Sequence, residues 1–183
     1  YSRDIRELFK LISASGGIFG LHSSYQAGKC PDIIPEEKIC LEKAVGTEIT
    51  ANRHHFLRSR EPEDMVLLEQ AGITDDYTMG YADIAGFRLG TTRPVRWIDV
   101  TQRRLSSLLL HPLTVMDSTL IESKYMGLSY AEATDCCFNL IRQVEKAGGE
   151  LTLLWHNSWV TESGGYLRKL YALLIKNLAE KPF

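Results

Sequence analysis

The chain has 183 residues, of which 44% are hydrophobic and 24% are charged, and its formal net charge is −2. This composition is typical of a globular protein with a buried core, and it excludes intrinsic disorder, collagen-like repetition and a coiled-coil rod. The small net charge gives no general attraction to nucleic acid, and the apolar runs are far shorter than the roughly 20 residues of a bilayer span. We therefore expect no nucleic-acid partner and no membrane span.

The chain opens with Tyr1 rather than Met, which indicates a processed or trimmed piece. Its four cysteines, Cys30, Cys40, Cys136 and Cys137, form no CxxC motif and show no zinc-site spacing. We interpret them as reduced thiols in or near the core. This use of cysteine favours a reducing compartment, and hence the cytoplasm.

Five helices are predicted from apolar periodicity and from helix-start and helix-stop residues. They cover residues 2–13, 35–44, 62–71, 130–146 and 166–178. Proline and acidic residues open the second and third helices, and glycines follow all but the last of the five. The pattern therefore predicts helices distributed along the whole chain.

Short apolar strands are predicted between these helices, at residues 18–21, 47–51 and 150–155. Residues 73–119 combine strand and loop character. Repeated alternation of helix and strand predicts an α/β fold with parallel strands. No repeat, linker or low-complexity tract interrupts the chain, so we expect a single domain over residues 1–183.

Histidines follow three of the predicted strands: His22, the pair His54 and His55, and His156. In parallel α/β barrels the carboxyl ends of the strands form the site, so a histidine there is placed to bind a metal or move a proton. His54 and His55 are neighbours, so at most one of them faces such a site. Taken singly, each is equally consistent with a hydrogen-bonded structural histidine, which is how we interpret His111.

A glycine-rich segment carries Asp76, Tyr81, Asp83 and Arg88, whose side chains suit a polyhydroxylated ligand. The segment matches no phosphate-binding loop. The alternative is an ordered loop in which Arg88 pairs with an aspartate.

Two tryptophans, Trp155 and Trp159, flank His156 and Asn157 in the sequence. Such rings suit the apolar faces of sugars, although core packing explains Trp155 equally well. No GxSxG elbow is present, and no cysteine has a histidine near it in sequence.

The ordered set of motifs resembles the polysaccharide deacetylase (NodB-homology, carbohydrate esterase family 4-like) superfamily, in a divergent bacterial branch. The resemblance covers nearly the whole chain, from His22 to Asn157. The segments that carry it are Gly20-Leu21-His22-Ser23-Ser24-Tyr25, Arg53-His54-His55-Phe56-Leu57, Asp76-Tyr77-Thr78-Met79-Gly80-Tyr81, Gly86-Phe87-Arg88 and Leu154-Trp155-His156-Asn157.

This resemblance implies a distorted (β/α)7-type barrel of the glycoside hydrolase and deacetylase kind. It also implies a metal-dependent hydrolase that removes acetyl groups from the N-acetylated sugars of a polysaccharide or glycoconjugate. The family's aspartate-bearing first strand would precede the helix at residues 2–13, so we expect the barrel to be incomplete at its N-terminus. The implied cofactor is a divalent metal, zinc first, with cobalt, nickel or manganese as alternatives.

The resemblance also assigns roles to residues. His22 and His55 are the expected metal ligands, because Gln26 stands where the family has its second histidine. His156 is the expected catalytic acid, and Arg53 orients a carboxylate of the site. Asp76 is expected to support catalysis, and the expected sugar-binding residues are Tyr81, Asp83, Arg88, Trp155 and Asn157.

Two other functions remain open at this point. The first is a non-catalytic glycan-binding or scaffold domain that keeps the same barrel. The second is a different metal-dependent hydrolase, acting for instance on a phosphoester or a small amide. Metal content separates the deacetylase from the scaffold, and substrate preference separates it from the other hydrolase.

Overall fold

The strands of the computed structural model, which describes residues 3–180, form one five-stranded sheet and one two-stranded sheet. The predicted α/β class with a mainly parallel sheet is confirmed, and neither sheet closes into a barrel among the described residues. The chain divides into two compact units. Unit 1 runs through Met79 and resumes at Pro94–His111, and unit 2 comprises Gly80–Arg93 and the chain from Pro112 onward.

Residues 3–180 contain six α-helices and seven strands. The helices are α1 (Arg3–Ala14), α2 (Ile34–Val45), α3 (Glu63–Gln70), α4 (Asp117–Ile121), α5 (Tyr130–Ala147) and α6 (Gly165–Ala179). The strands are β1 (Gly20–Leu21), β2 (Ala51–Asn52), β3 (Asp75–Asp76), β4 (Val95–Asp99), β5 (Arg104–Leu110), β6 (Leu113–Met116) and β7 (Thr152–Leu154).

The five predicted helices are confirmed as α1, α2, α3, α5 and α6. Helix α2 ends where Gly46 adopts a φ of 77°, a left-handed conformation that glycine accepts without steric cost. Helix α5 begins at a capping box, in which Ser129 and Glu132 satisfy each other's backbone N–H groups. Helix α1 buries no residue completely, although its apolar residues recur at helical spacing.

Unit 1 is built on the five-stranded sheet, whose order is β1-β2-β3-β5-β4. The first four of these strands run parallel, and β4 pairs antiparallel with β5. Their parallel direction brings the carboxyl ends of β1, β2, β3 and β5 to one edge, which we call the carboxyl edge. The antiparallel β4–β5 pair was not predicted from the sequence.

The interior of unit 1 is formed by helices packed on this sheet. Helix α2 contacts β1 and α3, and α3 contacts β5. The predicted strand at residues 18–21 is correct only for Gly20–Leu21, since Ile18 is 87% exposed. The large apolar side chains that are fully buried in this unit are Ile34, Ile49, Met65, Leu68, Ile73 and Leu108.

Unit 2 combines the parallel pair β6 and β7 with helices α4, α5 and α6. Its core is almost wholly apolar and consists of Val115, Leu120, Ala133, Cys137, Leu140, Ile141, Leu167, Leu170 and Leu174. No helix within residues 3–180 is long and apolar enough to cross a bilayer.

All four cysteines are free thiols. Cys137 lies in the core of unit 2 and Cys136 is half-buried, as expected. The expectation is wrong for Cys30 and Cys40, which are exposed. Burial raises the pKa of Cys137 to about 12, so this thiol stays protonated at neutral pH.

Candidate functional site

The carboxyl edge of unit 1 carries a row of polar and aromatic side chains. His22 directly follows β1, Arg53 and His55 follow β2, and Tyr77 directly follows β3. Neighbouring parallel strands place residues at equivalent positions side by side, so these groups meet although they are far apart in sequence.

His22 and His55 are in direct contact at this edge. The Nε2 atom of His22 lies 2.9 Å from the Nδ1 atom of His55. On its other side, Nδ1 of His22 lies 2.8 Å from the carbonyl oxygen of Arg53. A carbonyl oxygen only accepts, so Nδ1 of His22 carries the proton and donates it, and in the neutral ring Nε2 presents its lone pair toward His55.

This arrangement of His22 suits metal binding. Metal-ligating histidines commonly donate their other ring N–H to a carbonyl or carboxylate, which fixes the tautomer and the ring orientation. Two imidazole nitrogens on one tetrahedral zinc lie about 3.3 Å apart, given zinc–nitrogen bonds of about 2.0–2.1 Å. The 2.9 Å contact therefore needs only a small opening to hold an ion. Within residues 3–180 no group of three or more His, Cys, Asp or Glu side chains is arranged to bind a metal.

Arg53 extends from β2 toward β3. Its Nε–H donates to the carbonyl oxygen of Tyr77 at 3.1 Å, and its guanidinium lies 5.9 Å from the centre of the Tyr77 ring. Burial lowers the pKa of Arg53, and the nearby Asp76 carboxylate opposes this shift. Arg53 therefore contributes to the edge in two ways, through its carbonyl to His22 and through its side chain to β3.

His111 completes the row at the end of β5. Its ring stacks on Tyr77 with a centroid distance of 4.1 Å, and its Nε2 lies 2.8 Å from Oδ1 of Asp75. The expectation of an ordinary, hydrogen-bonded histidine is confirmed at this position.

Beneath the edge lies a buried polar network centred on Asp76. The Asp76 carboxylate accepts from Nδ2 of Asn52 at 2.7 Å and from the backbone N–H and hydroxyl of Thr78 at 3.0 and 2.9 Å. The Ser23 hydroxyl in turn donates to Oδ1 of Asn52 at 2.5 Å. Burial raises the pKa of Asp76, and these hydrogen bonds oppose the rise. Asp76 thus links three neighbouring strand ends rather than facing solvent.

His54 points away from His55, as the sequence predicts for neighbouring residues in an extended segment. It is 1% exposed, and neither ring nitrogen has a hydrogen-bond partner among the described residues. Its backbone N–H donates to the Thr78 hydroxyl at 3.0 Å. Burial lowers the pKa of His54, which favours the neutral ring.

Unit 2 carries a second histidine arrangement, at the ends of β6 and β7. Nδ1 of His156 lies 2.7 Å from Oδ1 of Asp117, a carboxylate that is fully buried. The backbone N–H of His156 donates to the other oxygen of the same carboxylate. The His156 side chain is 45% exposed, so Asp117 holds Nδ1 and leaves the rest of the ring accessible. A carboxylate that orients a histidine through Nδ1 is the arrangement used in proton-transferring sites.

The five expected sugar-binding residues lie in unit 2 and differ in their surroundings. Tyr81, Asp83 and Asn157 are exposed. Arg88 donates to the carbonyl oxygen of Gly80 at 3.2 Å, so its contact is with backbone rather than with an aspartate. Trp155 packs against the apolar core, with its ring centre 5.4 Å from that of Tyr171.

Sequence reasoning gave no site role to Asp117, Asn52 or Ser23. Asp117 follows the mostly apolar strand at residues 113–116, so the strand-end rule that identified the histidines would also have identified it. Ser23 directly follows His22, and Asn52 is the last residue of β2, two residues before His54. The signal for all three was therefore present.

The comparisons with known proteins assign no family. No protein-family model matches the chain, and no curated protein matches it. A function must therefore be inferred from the site's side chains and their geometry.

Proposed function

We propose that this chain is a metal-dependent hydrolase that removes acetyl groups from N-acetylated sugars of a polysaccharide or glycoconjugate. The observation that carries the proposal is the contact between His22 and His55, with His22 oriented by the Arg53 carbonyl. The (β/α)7-type barrel implied by the resemblance to polysaccharide deacetylases belongs to the same proposal.

His22 and His55 are the residues that would hold the ion, with zinc as the first choice. Imidazole nitrogen suits zinc, cobalt and nickel alike, so the pair alone does not select among them. A bound zinc supplies Lewis-acid chemistry, since it polarises an amide carbonyl and lowers the pKa of a bound water. For His55 to use Nδ1 as a ligand, its proton must reside on Nε2.

The remaining roles belong to groups that hold or move protons. Arg53 fixes the His22 tautomer through its carbonyl oxygen, 2.8 Å from Nδ1. His156 is assigned the proton donor for the leaving amine, and its exposed ring is held by the buried Asp117 carboxylate. Asp76 is assigned a positioning role, because its oxygens accept hydrogen bonds from Asn52 and Thr78.

Zinc stoichiometry after metal loading and buffer exchange tests the proposal directly. We expect about one zinc per chain in the unmodified protein, and none above background in the His22→Gln and His55→Gln variants. The matched control is His156→Gln, which also removes one exposed imidazole but keeps the zinc. Release of acetate from an N-acetylated chito-oligosaccharide is expected in the unmodified protein and is lost in all three variants.

Two results would overturn the proposal. Absence of zinc leaves a glycan-binding domain, and zinc that survives both His22→Gln and His55→Gln places the metal site outside this pair. Zinc bound as expected with hydrolysis of simple esters or phosphoesters, and no acetate from the N-acetylated sugar, identifies a different metal-dependent hydrolase.

A further inference from the structure

An exposed cluster of aromatic and cationic side chains adjoins the His22–His55 pair. The Phe56 ring lies 4.4 Å from the His55 ring and 5.9 Å from the Tyr25 ring, edge to face in both cases. Phe56 is 69% exposed and Tyr25 is 47% exposed. We call Tyr25, Lys29, Phe56 and Arg58 the aromatic–cation patch.

The backbone at Phe56 is strained, although the Phe56 side chain is exposed. Phe56 and Leu57 have φ values of 56° and 53°, a left-handed conformation that non-glycine residues seldom adopt. Leu57 is buried, so its conformation is compensated by core packing, but Phe56 points outward. Residues held in such conformations cluster at ligand-binding and catalytic sites, where the surrounding structure maintains them.

The surrounding structure holds this turn at both ends. The backbone N–H of His55 donates to the Ser23 carbonyl at 3.1 Å, and that of Arg58 donates to the His55 carbonyl at 3.2 Å. Phe56 is thereby fixed beside the histidine pair with most of its ring in solvent. A fixed, exposed aromatic ring is suited to stack on the apolar face of a sugar.

The segment that carries Tyr25 and Lys29 is also firmly held. Lys29 N–H donates to the Gln26 carbonyl at 2.9 Å, and Ala27 N–H donates to the Ser24 hydroxyl at 3.2 Å. Ala27 is completely buried, and Ser24 N–H donates to the Glu37 carboxylate of α2 at 3.0 Å. The backbone that carries Tyr25 and Lys29 is therefore fixed before any ligand arrives, which reduces the entropy lost on binding.

The two cations of the patch are positioned but not neutralised. Nζ of Lys29 lies 5.1 Å from the centre of the Tyr25 ring, and Cζ of Arg58 lies 5.4 Å from it. Within residues 3–180 neither side chain forms an ion pair with a carboxylate. Contact with an aromatic ring orients a cation without cancelling its charge, so both charges stay available to an anionic ligand.

We propose that the aromatic–cation patch is a subsite for a sugar ring that carries a carboxylate, next to the acetylated sugar held at His22 and His55. The substrate is then an acidic polysaccharide in which N-acetylated sugars alternate with uronic acids. The ring face stacks on Phe56, and the carboxylate lies near Lys29 and Arg58. This inference rests on the proposed function for the identity of the neighbouring sugar.

Binding of matched oligosaccharides tests the subsite. The probes are a tetrasaccharide of alternating N-acetylglucosamine and glucuronic acid, and the same tetrasaccharide with its carboxyl groups reduced. Calorimetry on chelator-treated protein is expected to give about tenfold tighter binding of the acidic probe at low salt. Each exposed ion pair contributes up to about fivefold, so Lys29→Ala with Arg58→Ala should leave the two probes within about twofold of each other.

Matched variants separate this effect from general attraction. Arg142→Ala with Lys169→Ala removes two exposed cations from helices of unit 2 and should preserve the preference. Phe56→Ala should weaken the binding of both probes by about tenfold, since stacking does not require the carboxylate. Phe56→Tyr keeps an aromatic ring and should bind both probes as the unmodified protein does. Circular dichroism spectra that match the unmodified protein show that each variant is folded.

The inference is overturned if the unmodified protein binds both probes equally, or if the preference survives loss of Lys29 and Arg58. It is also overturned if Phe56→Ala binds as tightly as the unmodified protein. Because the protein is metal-free in this experiment, failure of the hydrolase proposal leaves these results unchanged. Absence of zinc or of acetate release would count against the function, and not against the subsite.

Discussion

The two histidine arrangements of this protein use the same ring with different partners. In unit 1, His22 is oriented by a backbone carbonyl, which is uncharged, and its second nitrogen meets another histidine. In unit 2, His156 is oriented by a buried carboxylate, and the rest of its ring faces solvent. Either partner can fix the tautomer of a metal ligand, but only a carboxylate also supplies a charge that stabilises a ring when it takes up a proton.

The buried residues beneath the two histidine arrangements differ as well. The carboxyl edge of unit 1 lies over a buried polar network that joins Ser23, Asn52 and Asp76. Asp117 in unit 2 lies at the start of α4, and the core of that unit is apolar. A buried polar network fixes the relative positions of strand ends, but the protein loses stability whenever one hydrogen-bonding partner in the network is removed. The comparison therefore predicts different losses in the two units.

The largest expected effect comes from Asp117→Asn, which replaces the carboxylate with an uncharged group of the same shape. Loss of the oriented tautomer of His156 should lower kcat for acetate release by about 10²–10⁴-fold, the range seen when a histidine loses its carboxylate partner. Zinc content should not change. Nitrogen NMR of the His156 ring gives a second measurement, because the Nδ1–H signal should weaken.

The control for this change is Ser118→Ala. The Ser118 hydroxyl contacts the same Asp117 oxygen at 3.2 Å without touching His156, so its loss should change kcat by less than about threefold. If Asp117→Asn keeps full activity, the Asp117 carboxylate does not contribute to catalysis by orienting His156.

A smaller effect, on stability, is expected from Asn52→Ala in the buried polar network of unit 1. The change leaves a buried Asp76 oxygen and the Ser23 hydroxyl without their shared partner, which should lower the free energy of unfolding by about 2–3 kcal/mol. Urea denaturation followed by circular dichroism measures the loss. Ser23→Ala removes only the outer hydrogen bond and should cost about 1 kcal/mol. Equal losses in the two variants would show that the hydrogen bond from Asn52 to Asp76 adds nothing to stability.

The smallest effect is expected from Glu69→Gln, and it depends on pH. Hydrogen bonds from Arg104, Ser106 and Ser107 hold the pKa of Glu69 far below its ordinary 4.5. A lowered pKa means that stabilisation is present above the ordinary value and is lost as pH falls below it. Since Arg104 is partly exposed, we expect Glu69→Gln to cost about 1 kcal/mol at pH 7 and clearly less at pH 3.

Thermal unfolding at both pH values measures this difference. Glu132→Gln in unit 2 is the control, because glutamine also serves in a capping box and should preserve the α5 start. A cost for Glu69→Gln that is the same at pH 3 and pH 7 would mean that the charge of Glu69 contributes nothing.

The helices and the histidine positions could be predicted because their signals are local. Proline near the start of α2 and glycine after its end mark that helix, and apolar residues before His22 and His156 mark strand ends. Strand β3 could not be predicted in this way, since Asp75 and Asp76 have low intrinsic preference for strands. Its pairing with β2 on one side and β5 on the other overrides that preference.

The candidate site was predictable in its residues but not in its contacts. Sequence reasoning proposed His22 and His55 together, but their separation of 2.9 Å depends on strand pairing that no local pattern records. The left-handed conformation of Phe56 runs against the local preference of phenylalanine, in a turn that a hydrogen bond from His55 N–H to the distant Ser23 carbonyl holds. Features that oppose local preference are the ones that sequence patterns miss.

The two outer strands of the unit 1 sheet, β1 and β4, affect whether copies of this protein aggregate at high concentration. Unpaired backbone groups on an outer strand are a template for another chain, and proteins avoid such aggregation with short, irregular or charged outer strands. Here β1 is only two residues long, and β4 carries Arg96 beside a break in its register with β5. Neither side therefore offers a long regular row of free N–H and C=O groups. We expect concentrated solutions of the folded protein to resist strand-mediated fibre growth.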